Sequence, residues 1–468
     1  MIARIIIPVI LVTLLSDLYI DLHFLRHIST PSRRVIWRTL WWVQSIAVIV
    51  YAILLAMQKG FAPTNLEYLN WFILILTVWL IPKFVFSVCS FLGWAHCAYH
   101  KTDTNYGTGI GVLLFIMLVP LAVFSNTLGI SSVHVRYVTF MSPDLPWSFD
   151  GYRIVQFSDA HVGTYTGWRS YILDKAMDKI MDQNADMIVF TGDLQNMQPS
   201  EVEAKLPVLS RLKARDGVFS VLGNHDYAYY LNADKATSER NEREMVRLQK
   251  AMGWTLLRNE NRIVRRGKDS IVVAGMEYEG NSVKVPNRGD LKKTLCGIRQ
   301  DSTFVLMLQH DPTAWKTDIL PHSKAQLTLS GHTHGGQIVI NGWSPASYFY
   351  DEWEGMYKKG NRAMNVSTGL GALIPFRFLC SPEIVVIDLV RETWYDKLDW
   401  ELKNEIKKVA YYVDEIEELD SLGYLDSIRK LNRERTLYRV LYGYEYYMDF
   451  KELLDKPREK TKFYSDDF

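Results

Sequence analysis

Cysteine is scarce: four residues in 468, at positions 89, 97, 296 and 380, with no Cys-x-x-Cys pair. That excludes a disulfide framework and a thiolate zinc site. An excess of one charge is missing too. Fifty-three Lys and Arg stand against 52 Asp and Glu, a net charge of +1, so the chain lacks the basic face that a sequence-independent grip on nucleic acid requires, and no nucleic-acid partner is expected. Low-complexity tracts and internal repeats are absent, and with 48% hydrophobic residues the chain is no disordered polymer. The length suggests about three structural units. A mean hydropathy of -0.06 resembles that of a soluble protein, but the average conceals an uneven distribution: nearly all the long apolar runs precede residue 130.

About 20 mostly apolar residues cross a bilayer as a helix. Segments 2–20, 36–57, 68–94 and 109–128 meet that length. In the first, Arg4 precedes the apolar run as in a signal peptide, but no small-residue cleavage site comes after it and three further spans do, so it is expected to be retained. The first loop carries Arg26, Arg33, Arg34 and Arg38, against Lys59 in the second and Lys101 in the third. This bias places the first loop in the cytoplasm and both termini outside it. Trp37, Trp41, Trp42, Tyr68, Trp71 and Trp94 suit the interfacial aromatic belt. Asp17, Asp21 and His23 are expected at the membrane surface, where a carboxylate costs little. The spans show no charged, Gly/Pro-interrupted pair of the kind that marks a transport site.

From residue 152 the pattern changes to short β-rich runs, at 153–158, 187–191, 218–222, 271–274, 303–308, 326–329, 365–367 and 384–389, separated by helical stretches around 168–183, 200–213, 237–252 and 290–298. Continuous apolar runs fit strands covered on both faces, and the alternation predicts a largely parallel sheet flanked by helices. The expected organisation is therefore a transmembrane region at 1–130, a linker at 131–151 with Pro143, Pro146 and Gly151 as breakers, an α/β domain at 152–393, and a helical extension at 394–468 rich in Glu, Lys, Asp, Leu and Tyr.

Five clusters begin where predicted strands end: Ser158-Asp159-Ala160-His161, Thr191-Gly192-Asp193, Gly223-Asn224-His225-Asp226, Gln309-His310-Asp311, and Gly331 to Gln337 with His332 and His334. Ligands of open α/β sheets bind beyond the carboxyl ends of strands, which would bring all five to one rim. Carboxylate, imidazole and amide oxygen suit Mn, Fe or Zn. Two such cations about 3.5–4 Å apart can clamp a phosphoryl oxygen, and Asp193, just after Gly192, is placed to span both. Each cluster alone is weak, since Asp-x-His is more often a hydrogen-bonded strand end. All five in order at strand ends are not readily obtained by chance.

The ordered series D-x-H, G-D, G-N-H-D, H, G-H-x-H resembles the calcineurin-like metallophosphoesterase superfamily over about half the chain. The resemblance implies a four-layer α/β/β/α sandwich with a dinuclear metal centre. One cation would take Asp159, His161, Asp193 and His334, and the other Asp193, Asn224, His310 and His332. His225, beside the phosphate and oriented by Asp226, would stabilise charge or protonate the leaving oxygen, while a metal-bridging hydroxide attacks phosphorus. Protein Ser/Thr phosphatases of the superfamily carry arginines where this chain has Leu194-Gln195-Asn196 and Val221-Leu222, so that activity is not expected. The runs Ser367 to Gly371, Pro375-Phe376-Arg377 and Ser381 to Ile384 are similar to a membrane-anchored bacterial subgroup, some members of which act on phosphodiester or lipid-linked nucleotide substrates. Arg377 is accordingly a candidate phosphate contact or a structural residue.

Together these readings predict an integral membrane phosphoesterase, anchored in a bacterial inner membrane with its catalytic domain outside the cytoplasm. It would hydrolyse a phosphodiester, phosphomonoester or pyrophosphate, with a lipid-linked substrate favoured because tethering raises its local concentration. The alternative is a membrane-bound sensor whose metal centre is structural or regulatory. His23, His27, His96, His100, His134 and His322 lie outside the clusters and are read as ordinary surface residues.

Overall fold

A computed structural model of the chain describes residues 6–58, 66–231, 233–282 and 284–392. The expected C-terminal helices at 394–468 fall outside the described residues. Four helical rods come first, each long and apolar enough to cross a membrane: Ile6–His27, Pro31–Ala56, Glu67–His100 and Tyr106–Ser131. They comprise α1 (Ile6–His23), α2 (Pro31–Ala56), α3 (Glu67–Ile75), α4 (Ile81–His100), α5 (Tyr106–Asn126) and α6 (Leu128–Ser131). A π-helical stretch, Leu76–Leu80, joins α3 to α4 just before Pro82.

The bundle departs from expectation at its centre. Asp17 is fully buried between helices; its carboxylate accepts from Lys83 Nζ at 2.7 Å and from Ser45 Oγ at 2.5 Å. Each of the three lies near the middle residue of its span. One turn on, Asp21 takes a bidentate bond from Arg38 at 2.7 and 2.9 Å and a third from Trp42. Charge is thus present at midspan, contrary to the reading of Asp17 as a surface residue. Apolar surroundings make an unpaired carboxylate costly, so the aspartate is matched by a lysine 66 positions away in sequence.

The remaining elements form two six-stranded sheets. The first has the order β1-β12-β2-β3-β4-β5 and the second β10-β11-β9-β8-β7-β6. In chain order the strands are β1 (His134–Ser142), β2 (Tyr152–Phe157), β3 (Met187–Phe190), β4 (Val218–Ser220), β5 (Thr255–Leu256), β6 (Glu260–Arg266), β7 (Asp269–Gly275), β8 (Val305–Leu308), β9 (Leu327–Ser330), β10 (Gly355–Lys359), β11 (Arg362–Val366) and β12 (Glu383–Arg391). The helices are α7 (Ser170–Met181), α8 (Ser200–Glu203), α9 (Leu206–Leu209), α10 (Lys235–Ala251), α11 (Leu291–Thr294) and α12 (Leu320–His322).

Side chains alternate along each strand, so a strand buried on both faces feeds two cores. Met187 and Val189 of β3 join Ile271, Val273, Leu306 and Leu329 between the sheets. Ile188 and Phe190 of the same strand pack instead with Leu173, Met177 and Ile180 of α7 and Leu248 of α10. On the far side, Val305, Met307 and Met364 meet Leu291, Trp315 and Ile319. Helix, sheet, sheet and helix therefore stack as four layers, each core side chain contributing roughly 1.5–3 kcal/mol on burial. The segment expected as a linker contains β1, paired in parallel with β12 along all nine residues. Its charged and half-buried positions, His134 and Arg136 among them, obscured the strand pattern.

Candidate metal centre

Strand polarity builds the site. β2, β3 and β4 run parallel, so the residues that follow them emerge along one edge; β7, β8 and β9 do the same in the second sheet. Immediately beyond these ends the backbone turns sharply. Asp159, His161, Asp193, His332 and His334 all have left-handed φ, between 41° and 75°. That conformation costs a side-chain-bearing residue about 1–3 kcal/mol and tends to cluster at functional sites. Gly192, at φ 100°, has no room for a Cβ, because the backbone of Gly223 and the His310 ring lie against it.

The turns gather ligand-type atoms into adjoining groups. Asp159, His161 and His334 form one triad, and Asp193, His310 and His332 another, each with its candidate atoms within 4.8 Å of one another. His161 also groups with Asp193 and His225. Asp193 Oδ2 stands 3.6 Å from His161 Nε2 and 3.3 Å from His310 Nε2, so a single carboxylate faces both halves. Asn224 Oδ1 is 3.1 Å from His310 Nε2, and His332 Nδ1 is 3.2 Å from the same atom. All seven residues that the resemblance nominates as ligands are therefore neighbours.

Outer partners fix the rings. His310 Nδ1 bonds the Thr191 carbonyl at 2.7 Å, leaving Nε2 inward. His332 Nε2 meets the Tyr350 hydroxyl at 2.9 Å and lies 3.4 Å from Asp311 Oδ2, leaving Nδ1 inward. Asp311 is in turn held by the Tyr278 hydroxyl and by Thr313. Such second partners orient metal-binding imidazoles and set their tautomer.

The residues present fit divalent cations. Both ring nitrogens of His161 and the Nδ1 of His334 are buried with no hydrogen-bond partner. Buried polar atoms are otherwise nearly always satisfied, and a cation is the partner that unprotonated imidazoles accept. Burial holds His161 and His334 at a pKa of about 3, so both are neutral and have lone pairs to offer. Burial also disfavours the His310 cation, but the Asp193 carboxylate outweighs it and raises that imidazole to about 10. Against its own desolvation, Asp193 is kept ionised by His310, His225 and His161. The centre is thus an anionic bridge among imidazoles, one of which carries a proton that a cation would displace.

One expectation needs correction, and one open alternative is decided. Asp226 does not touch the His225 ring. Its carboxylate accepts backbone N–H groups from Gly223, Asp193, Leu194 and Gln195 at 2.9–3.3 Å, knitting two strand-end turns together. His225 is instead oriented by the Asn196 carbonyl, 2.6 Å from Nδ1, and by Tyr230, whose ring stacks on it at 4.2 Å. Arg377 is no phosphate contact. It is fully buried, and its guanidinium donates to the carbonyls of Thr368, Gly369 and Gly371 at 2.6–3.1 Å.

A cleft of about 280 Å³ opens over the centre, lined by Asp193, Asn224, His225, His332 and His334 together with Met197, Tyr230, Gln337, Leu373 and Ile374. Tyr230 in this lining, and Tyr350 behind His332, escaped the sequence reading. Tyr230 donates nothing to the motif pattern, yet its hydroxyl accepts from Asn224 Nδ2 at 2.8 Å. The available signal was proximity: Tyr227-Ala228-Tyr229-Tyr230 follows Gly-Asn-His-Asp directly, and Tyr348-Phe349-Tyr350 follows Gly331–Gln337 by eleven residues.

Comparison with known proteins adds the following. Residues 152–336 match the family described as calcineurin-like phosphoesterase. Residues 3–130 match one described as "Probable Calcineurin-like phosphoesterase, transmembrane domain". The Bacillus subtilis protein named "Uncharacterized metallophosphoesterase YkuE" is 33% identical over 267 residues, covering 54% of this chain and 83% of that one. A Danio rerio "Transmembrane protein with metallophosphoesterase domain" is 31% identical over 288 residues, 59% of this chain and 62% of its own length. The Chlamydia trachomatis protein named UDP-2,3-diacylglucosamine pyrophosphatase LpxG is 26% identical over 312 residues, 54% of this chain and 89% of that protein.

Proposed function

Because the chain belongs to the calcineurin-like phosphoesterase family and carries its four-span membrane domain, we propose that it hydrolyses a phosphodiester or pyrophosphate bond on a lipid-linked substrate. The observation that carries this reading is the pair of triads facing one carboxylate, Asp193. Asp159, His161, Asp193 and His334 would hold one divalent cation, and Asp193, Asn224, His310 and His332 a second, with Mn, Fe or Zn suited to this donor set. Such a pair, when bound, supplies Lewis-acid stabilisation of phosphoryl oxygens and a water of lowered pKa.

The remaining work falls to the chain's own groups. With Nδ1–H committed to the Asn196 carbonyl, the Nε2 of His225 is the atom that gives a proton to a departing oxygen. Stacking on Tyr230 keeps that ring in one plane. Leu373 and Ile374 give the cleft an apolar wall suited to the hydrocarbon part of an amphiphile. A lipid-linked pyrophosphate is also the substrate that the name of the Chlamydia relative describes. The arginines of the first loop support a catalytic domain outside the cytoplasm, which for the bacterial inner membrane we propose is its outer side, and a reporter fused to the C-terminus is expected to be active only there.

The test is a hydrolysis screen of detergent-purified full-length protein over phospholipids, lipid-linked nucleotides and aryl diesters with several divalent cations. Cation-dependent turnover is expected, abolished by chelation and reduced at least about a hundredfold in Asp193→Asn. Wild-type turnover in Asp193→Asn would contradict the reading.

A further inference from the structure

The direction in which the catalytic edge faces follows from strand polarity. β1 begins three residues after α6 and therefore leaves the membrane domain at His134 and runs away from it. β12 is parallel to β1, and β2 is antiparallel to β12. β2 consequently runs back toward the membrane domain, as do β3 and β4 beside it. The ends of these strands, which carry Asp159, His161, Asp193 and Asn224, face the membrane-helix domain.

Direct contacts agree. Asn70, in α3, donates to the Thr164 carbonyl and to Thr166 Oγ1, in the turn that follows His161. The backbone N–H of Arg377 bonds the Ser125 carbonyl in the last turn of α5, and the Arg169 guanidinium reaches the Asn126 carbonyl. The metal-type cluster thus lies on the side of the α/β domain that meets the ends of α3 and α5.

Two loops beside the cleft expose apolar side chains at this level. Segment 337–343 is zipped to segment 374–378: Val339 N donates to the Phe378 carbonyl, and Gln337 Nε2 to the carbonyls of Ile374 and Phe376. Trp343 and Ile374 of these segments and Leu379 just after the second are exposed, as are Tyr348, whose ring meets Trp343 edge-on at 6.0 Å, and Phe349 beside it, which extend the first loop to residue 349. Phe349 is 78% exposed, although Tyr350 beside it is bonded to His332. Leu379 is 63% exposed and sits at φ 53°, a conformation in which leucine is disfavoured. Tolerating backbone strain in order to present a leucine to water has no benefit for a soluble surface. Beside a bilayer it does, and Trp and Tyr are the side chains that favour the headgroup zone.

We propose that these two loops form a lip that dips into the headgroup layer of the bilayer, so that the cleft takes a phosphoester amphiphile from within the membrane rather than from water. The lip is joined to the last turn of α5 by the hydrogen bond from the Arg377 N–H to the Ser125 carbonyl, next to the apolar span Tyr106–Ser131, and lipid is its occupant. The proposal that the substrate is taken from the bilayer rests on the phosphoesterase reading; the seating of the lip in lipid does not.

Two measurements separate these. Full-length protein in phosphatidylethanolamine/phosphatidylglycerol nanodiscs, with Cys89, Cys97 and Cys296 replaced by serine and Cys380 buried, is labelled with a polarity-sensitive fluorophore through Phe349→Cys or, as a control, Lys268→Cys. Lys268 lies on the β6–β7 hairpin, at the end of the sheets away from the membrane domain. A blue-shifted emission quenched by spin-labelled lipid is expected at position 349 and a water-like emission at 268; water-like emission at both overturns the lip. Second, Phe349→Ser combined with Leu379→Asn, the latter compatible with left-handed backbone, should lower kcat/KM at least tenfold on a vesicle-borne phosphodiester and leave bis(p-nitrophenyl) phosphate hydrolysis within twofold. Equal loss on both esters, or loss on neither, overturns uptake from the bilayer. If the wild type cleaves neither ester, the phosphoesterase reading fails, and with it uptake from the bilayer, while the fluorescence alone decides the seating of the lip.

Discussion

His225 is the residue whose role depends most on geometry invisible in the sequence. It belongs to a group with His161 and Asp193 that has metal-ligand spacing, yet its Nδ1 is committed to the Asn196 carbonyl and its ring is stacked on Tyr230. If it is a proton donor and not a ligand, His225→Ala should lower turnover by about 10²–10⁴-fold with cation content unchanged. Loss of a cation, measured by elemental analysis of the purified variant, would reassign it. The clustering of the candidate ligands was legible because Asp159, His161, Asp193, Asn224, His310, His332 and His334 each stand within a few residues of a strand end, so a local pattern reports a spatial cluster. The work of Asp226 was not legible. It depends on four backbone N–H groups from two turns converging on one carboxylate, and residue types do not encode that convergence. Arg377 stayed open between two readings for a similar reason: a guanidinium suits backbone carbonyls as well as phosphate, and only burial distinguishes the two.

Among the elements, the long apolar helices and doubly buried strands were readable, because length and continuity identify them without reference to neighbours. β1 was not, since an edge strand with His134, Arg136 and Tyr137 half exposed shows neither a run nor a clean alternation. Residues 200–213 read as one helix, yet Pro207 opens a separate turn and the segment forms α8 and α9. Helix pairing in the membrane depends on distant partners. Asp17 and Lys83 join α1 to α4 by a buried bond of 2.7 Å that neither segment announces alone. Removing one partner leaves a buried charge uncompensated, so Lys83→Met should destabilise the bundle by about 3 kcal/mol. Adding Asp17→Leu should restore most of that loss. Thermal unfolding in detergent checks both, and equal instability of the single and double variants would mean that the pair is not the cause.

For the whole molecule, composition alone divided membrane from α/β domain, because the solvent each must face differs. Their mutual orientation required strand polarity. A chain entering the sheet at an edge strand, crossing to an antiparallel partner and then continuing in parallel necessarily turns the ends of β2, β3 and β4 back to where it entered. The candidate metal rim and the ends of the membrane helices are brought together by that topology, and the contacts of Asn70 and Ser125 complete the arrangement. Tethering and aim thus combine: four spans hold the domain at the surface, and the sheet directs its ligand cluster downward. All of this presupposes that the cluster holds two cations with Asp193 between them. The most direct measurement is the number of divalent cations bound per chain, by elemental analysis after equilibrium dialysis, in the wild type and in Asp193→Asn. Two per wild-type chain and fewer than two in the variant are predicted; a single cation in the wild type, or two retained without the Asp193 carboxylate, would contradict the account.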